Sequence, residues 1–141
     1  MKHFGLIGKV LVHSFSKKFF TEKFAKEGID AQYELYELPV IDDFKTLIAS
    51  KEFSGFNVTI PYKEQIIPFL DSLDPIAEGI GAVNTVKFIR KNGKTELRGY
   101  NTDIIGFTDS IKPLLHEHHK KALILGTGGA SKAVCYAFKL M

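Results

Sequence analysis

Short apolar runs alternate along this chain with stretches of helical spacing. Phe4 to Ile7 is an apolar run closed by Gly8 and predicts a strand, with Val10 to Val12 either continuing it or opening a loop. Lys17 to Glu27 has helical spacing with Phe19, Phe20 and Phe24 on one face, Ser16 placed as N-cap and Gly28 as terminator. Gln32 to Leu38 predicts a second strand ending at Pro39. Phe44, Leu47 and Ile48 fall on one face of a helix that Asp42 or Asp43 caps, and Gly55 to Ile60 predicts a third strand.

Tyr62 to Leu73 predicts a helix interrupted by Pro68. Asp74-Pro75 pairs a capping side chain with proline at the first helical position. Val83 to Ile89 and Thr95 to Tyr100 predict two strands joined through Asn92-Gly93, a hairpin signal. This order predicts an α/β fold with a mixed, mostly parallel sheet flanked by helices. Ile104 to Leu115 has helical spacing disturbed by Pro113, and Glu117 to Lys121 is a charged connection. Ala122 to Leu125 predicts a buried strand, Gly126-Thr127-Gly128-Gly129-Ala130-Ser131 a glycine-rich turn, and Lys132 onward a helix.

A strand, glycine turn and helix form the first unit of a dinucleotide-binding half, which needs further units to cover its sheet. The expected division is therefore residues 1–102 as a substrate-binding catalytic domain and 103–141 as a linking helix plus the truncated start of a second domain. The chain is expected to be an N-terminal fragment, with some of Val134, Tyr136, Phe138 and Leu140 exposed or covered by a second copy. Cys135 is expected to pack in a core.

Composition narrows the classes. The 141 residues suit one domain or one and part of another. The net charge of +3 is scattered and forms no basic stripe, so no nucleic-acid partner is expected. No apolar run is long enough to span a bilayer, so no membrane partner is expected either. One cysteine excludes a disulfide framework within the chain, and the N-terminus lacks a signal-peptide pattern. A cytoplasmic location is the expectation. His116, His118 and His119 cluster without the companions of a metal site, so no metal is expected.

Candidate chemistry gathers at five places. Ser14 and Ser16 precede a helix; in an extended segment both hydroxyls share a side, and with free N–H groups they suit a carboxylate. The plainer reading makes one an N-cap and the other a loop residue. Asn57 and Thr59 alternate with Val58 and Ile60 near a strand end, where polar groups suit a polyhydroxylated ligand. Lys63 follows, able to hold or pass a proton to a carbonyl or to lie solvated in a first helical turn. Asn84 and Asn101 suit turns, and Asp103 suits a helix cap. Gly126, Gly128 and Gly129 permit a tight turn and close approach of a pyrophosphate, with Ser131 in the third motif position.

His13-Ser14-Phe15-Ser16, Asn57-Val58-Thr59-Ile60-Pro61-Tyr62-Lys63, Gly81-Ala82-Val83-Asn84-Thr85, Asn101-Thr102-Asp103 and Gly126 to Ser131 together resemble the shikimate dehydrogenases, in the same order. The resemblance implies a substrate domain followed by a Rossmann domain, with the active site between them. It implies NADPH-dependent reduction of 3-dehydroshikimate to shikimate in the route to chorismate and aromatic amino acids, and it allows a homodimer. By the resemblance Ser14 and Ser16 bind the substrate carboxylate, and Asn57, Thr59, Asn84 and Asp103 hold its hydroxyls and carboxylate region. Lys63 and Asp103 form the catalytic pair, with Lys63 the proton donor. Gly126, Thr127, Gly128, Gly129, Ala130 and Ser131 bind the cofactor. Lys9-Val10 and Lys17 stand where the family often has proline. A quinate/shikimate dehydrogenase of broader specificity and a non-catalytic small-acid binding module remain alternatives. The chain by itself is not expected to turn over.

Overall fold

A computed structural model describes residues 1–141. Six strands form one mixed sheet: β1 (Lys2–Gly8), β2 (Ala31–Glu37), β3 (Gly55–Val58), β4 (Ser72–Leu73), β5 (Thr85–Lys91) and β6 (Lys94–Tyr100). Their order is β2-β1-β3-β5-β6-β4. β1 pairs parallel with β2 and β3, β4 pairs parallel with β6, and β5 runs antiparallel between β3 and β6. The mixed, mostly parallel sheet read from the sequence is the one that forms.

Alternation along β1 divides the two faces. Ile7 points into the larger core with Phe44, Phe53, Phe56, Tyr62, Ile66 and Val86, so α2 (Asp43–Ser50) and α3 (Tyr62–Gln65) cover that face. Leu6 points the other way and packs with Leu11 and Tyr33, where α1 (Ser16–Glu27) lays Phe20 and Phe24. Asn92 and Gly93 adopt φ 53° and 73°, the left-handed pair a two-residue hairpin needs, and so join β5 to β6.

Several elements differ from the expected ones. The stretch 62–73 is not one helix. α3 stops at Gln65, a 3₁₀ turn spans Ile67–Phe69, and Ser72–Leu73 is strand β4. Pro68 has no N–H to continue a helix, and β6 offers the freed backbone a partner. α4 (Pro75–Ile80) starts as expected, the Asp74 side chain accepting from the Ile76 N–H at 3.0 Å. α5 (Asp103–Ile111) passes into a 3₁₀ turn at Lys112–Leu114, beside Pro113.

The strand expected at Ala122 to Leu125 does not form, and Leu123 and Leu125 are exposed. A strand needs partners for its N–H and C=O groups, and no edge of the sheet lies alongside it. α6 begins at Gly129 rather than Lys132 and runs to Leu140. It packs through Ala133 and Ala137 on Ile80, Ala82 and Ile104, forming a third core with α4 and α5. Tyr136 and Phe138 find partners within the chain, Tyr136 over Gly79 and Phe138 against Phe107. Leu140 is exposed. Cys135 is exposed too, on the outer side of α6, so the core role expected for it is wrong.

Candidate active site

The parallel strands β1 and β3 end at Gly8 and Val58, and the polar residues singled out in the sequence collect beyond those ends. Just past β3, the Ile60–Pro61 peptide bond is cis, and α3 opens at once with Tyr62 and Lys63. The Lys63 carbonyl accepts from the Val83 N–H at 2.7 Å, docking the start of this helix onto the segment that carries Asn84. The Tyr62 hydroxyl donates to the Leu38 carbonyl at 2.5 Å, pinning the other side.

Lys63 and Asp103, far apart in sequence, meet here. The Lys63 Nζ donates to Asp103 Oδ2 at 2.5 Å, with side-chain exposures of 15% and 32%. Asp103 Oδ1 accepts from Asn84 Nδ2 at 2.8 Å. Asn84 is buried and fully engaged. Its Nδ2 also reaches Thr102 Oγ1 at 2.9 Å, while its Oδ1 accepts from the Thr102 N–H at 2.8 Å and from Thr85 Oγ1 at 3.0 Å. A buried amide so placed cannot turn over without losing bonds on both ends.

The capping roles expected of two site residues belong to their neighbours. Asp103 is the first residue of α5, and its N–H is satisfied by Asn101 Oδ1 at 3.0 Å. Ser16 is the first residue of α1, and its N–H is satisfied by Ser14 Oγ at 3.2 Å. In each case a side chain two residues upstream closes the turn. The Asp103 carboxylate is thereby left for Lys63 and Asn84. The segment around Ser14 and Ser16 is turned rather than extended, Phe15 having φ −72° and ψ −25°. The same-side argument for the two hydroxyls therefore fails, although both residues stay half-buried beside β2. Glu37 Oε1 accepts from the Leu11 N–H at 2.6 Å and holds the loop that carries them.

Asn57 lies within the site, and Thr59 just beyond the strand end. Asn57 Nδ2 donates to Thr85 Oγ1 at 3.3 Å and its Oδ1 accepts from the Tyr33 hydroxyl at 2.9 Å. Thr59 is half-buried, bonded through its backbone to Ile7 and Tyr62, with its methyl against Gly8. Tyr33, Thr85 and Thr102 were not singled out in the sequence. Tyr33 reads there as an inward aromatic of an alternating strand, and only Thr85 and Thr102, beside Asn84 and Asp103, gave a local signal. A cavity of about 790 Å³ opens from Asn57, Thr85 and Thr102 beneath α1 toward Phe4 and Phe24; Lys63 and Asp103 lie outside it.

The glycine-rich turn abuts this cluster. Gly126 has φ 126°, a conformation that side-chain-bearing residues avoid. A Cβ added at Gly128 would meet nothing within 4 Å, so the backbone before α6 is bare, and Thr127 and Ala130 are exposed. Bare backbone at the start of a twelve-residue helix, beside the Ser131 hydroxyl, fits the pyrophosphate of a dinucleotide. Gly129 serves packing instead, since a Cβ there would fall 2.8 Å from the Lys63 Cβ and 3.2 Å from the Ala82 Cβ. Lys132 of α6 is ion-paired with Glu64 of α3. No group of three or more His, Cys, Asp or Glu side chains is arranged to hold a metal, and no helix is long and apolar enough to cross a membrane.

Comparison with known proteins agrees with this geometry. Residues 6–86 match the family model described as the shikimate dehydrogenase substrate binding domain. The shikimate dehydrogenase (NADP(+)) of Aquifex aeolicus is 45% identical over 141 positions, covering 95% of this chain and 49% of the relative. The crystal structure of shikimate dehydrogenase 1 from Peptoclostridium difficile superposes with a TM-score of 0.86 at 40% identity, covering 99% of this chain and 52% of that one. A Thermus thermophilus shikimate 5-dehydrogenase solved in complex with shikimate gives 0.84 at 33% identity, with 99% and 53% covered. The chain spans about half the length of the curated relatives it matches. A sheet of this order, carrying the Lys63–Asp103 pair beyond its strand ends and matched over most of its length by the family model, makes this chain a member of the shikimate dehydrogenase family.

Proposed function

We propose that this chain provides the substrate half, and the opening of the nucleotide half, of an NADP-dependent shikimate dehydrogenase that reduces 3-dehydroshikimate to shikimate on the way to chorismate and aromatic amino acids. The observation that carries the reading is the Lys63 ammonium held at 2.5 Å by Asp103, next to the Asn84 amide and its hydroxyl partners. Residues 1–102 are the substrate-binding catalytic domain, and 103–141 link it to the nucleotide-binding domain. The enzyme works in the cytoplasm, and a homodimer is compatible with the fold.

In the reducing direction Lys63 donates a proton to the substrate carbonyl oxygen as negative charge develops there. Asp103 holds the ammonium in place through Oδ2, while Oδ1 is fixed by Asn84. Asn57, Thr59, Asn84 and Asp103 take the ring hydroxyls, and Ser14 and Ser16 take the substrate carboxylate. The turn Gly126 to Ser131 receives the cofactor pyrophosphate, with Gly126 shaping the turn and Gly128 leaving room. Bound there, NADPH supplies the hydride. The test is substrate-dependent NADPH oxidation by the full-length protein. Turnover with 3-dehydroshikimate, and shikimate preferred to quinate in the reverse direction, is expected; tight shikimate binding without turnover would make the protein a binding module instead.

A further inference from the structure

The hydrogen bonds of the site run in one direction. The Tyr33 hydroxyl donates to Asn57 Oδ1 at 2.9 Å, and Asn57 Nδ2 donates to Thr85 Oγ1 at 3.3 Å. Thr85 Oγ1 donates to Asn84 Oδ1 at 3.0 Å, and Asn84 Nδ2 donates to Asp103 Oδ1 at 2.8 Å, where Lys63 arrives from the other side. A primary amide can present either its oxygen or its nitrogen to a ligand, and what lies behind it decides which. For Asn57 the group behind is Tyr33. As long as the phenol donates to Oδ1, the amide turns its nitrogen toward Thr85 and keeps a second N–H free for a ligand oxygen.

Tyr33 is held firmly enough to impose that orientation. It is 3% exposed, and its ring stacks on Phe20 of α1 with centroids 4.5 Å apart. Its backbone is fixed in β2 opposite Phe4. Burial pushes its hydroxyl up to about 12, while the Ser16 hydroxyl pulls it back in part. The phenol therefore stays protonated, and a donor, across the physiological range. The ring packs on α1 through Phe20 while the hydroxyl reaches Asn57, so one buried group joins that helix to the amide of the site.

We infer that Tyr33 is a positioning residue for substrate recognition: it fixes the orientation of the Asn57 amide, without itself touching the substrate. The inference rests on the proposed reading that the pocket takes a shikimate-like polyhydroxylated acid.

A double-mutant cycle in the full-length protein tests it, using shikimate as the probe in calorimetry. Tyr33→Phe keeps the stacked ring and removes only the hydroxyl. It should weaken shikimate binding roughly threefold to tenfold, the loss expected for one net hydrogen bond. In an Asn57→Ala background the same change should cost little, because Tyr33 acts through Asn57. An equal loss in both backgrounds, or none in either, would overturn the assignment. If the unmutated full-length protein fails to bind shikimate, the proposed function is at fault rather than the role of Tyr33. The Asn57 side-chain amide signals in NMR then decide: a shifted pair with faster exchange in Tyr33→Phe supports the assignment, and an unchanged pair refutes it.

Discussion

Each oxygen of the Asp103 carboxylate has its own partner, and the two partners make different demands. Oδ2 meets the Lys63 ammonium and Oδ1 meets the Asn84 amide. Asp103→Asn separates them. An asparagine oxygen can still accept from Asn84, but its amide nitrogen then faces the ammonium, donor against donor. The proposed mechanism expects kcat in the full-length protein to fall about a hundredfold or more, with melting temperature little changed, as steady-state rates and calorimetric scans would show. At this scale the sequence was legible where polar residues crowd together. Asn57, Lys63, Asn84 and Asp103 all stand in short polar punctuations after apolar runs, and all four join one network. Tyr33 was not legible, because an inward tyrosine on a strand looks like any other core aromatic. Local sequence points to Ser16 and Asp103 as caps, two positions late, because Ser14 and Asn101 are equally good acceptors and nothing local ranks them.

At the scale of elements, α6 ties the glycine-rich turn to the lysine-bearing helix α3. The three turn glycines face different surroundings, and their substitution should show it. Gly129→Ala forces a Cβ to within 2.8 Å of the Lys63 Cβ and 3.2 Å of the Ala82 Cβ, so α6 or α3 must move. Overpacking of this kind costs about 1–3 kcal/mol. Gly128→Ala adds its Cβ to open space at φ −79°, a conformation alanine accepts. Denaturant unfolding should therefore show a loss for Gly129→Ala and close to none for Gly128→Ala; equal effects would mean that α6 does not rest on Lys63. The hairpin at Asn92-Gly93 and the start of α4 at Asp74-Pro75 were readable because turn and cap chemistry is local. The segment 62–73 was not. Apolar spacing there fits a helix, and what overrides it is a strand partner supplied by β6, remote in sequence. The missing strand at 122–125 is the converse case: its sequence favours a strand, but nothing stands beside it to pair.

At the scale of the molecule, three apolar cores stabilise one sheet and its helices, and two buried tyrosines couple that stability to alkaline pH. Burial raises Tyr33 to about 12 and also raises Tyr62, with the nearby Asp43 charge adding to the second shift. Both phenols ionise more readily in the unfolded chain. Their contribution is thus complete below their ordinary value of 10.0 and is lost at higher pH, for Tyr33 as pH climbs toward 12. Stability to denaturant should hold steady up to about pH 10 and then decline. Tyr33→Phe should flatten that decline; an unaltered slope would mean that the phenol is not buried in solution.

The catalytic reading of the site rests on Lys63 as a proton donor rather than a binding charge. The most direct measurement is kcat for 3-dehydroshikimate reduction by full-length Lys63→Ala, taken together with its shikimate dissociation constant. If Lys63 donates the proton, kcat falls about a hundredfold to ten-thousandfold while shikimate affinity stays within about tenfold. Turnover at the unmutated rate would contradict it.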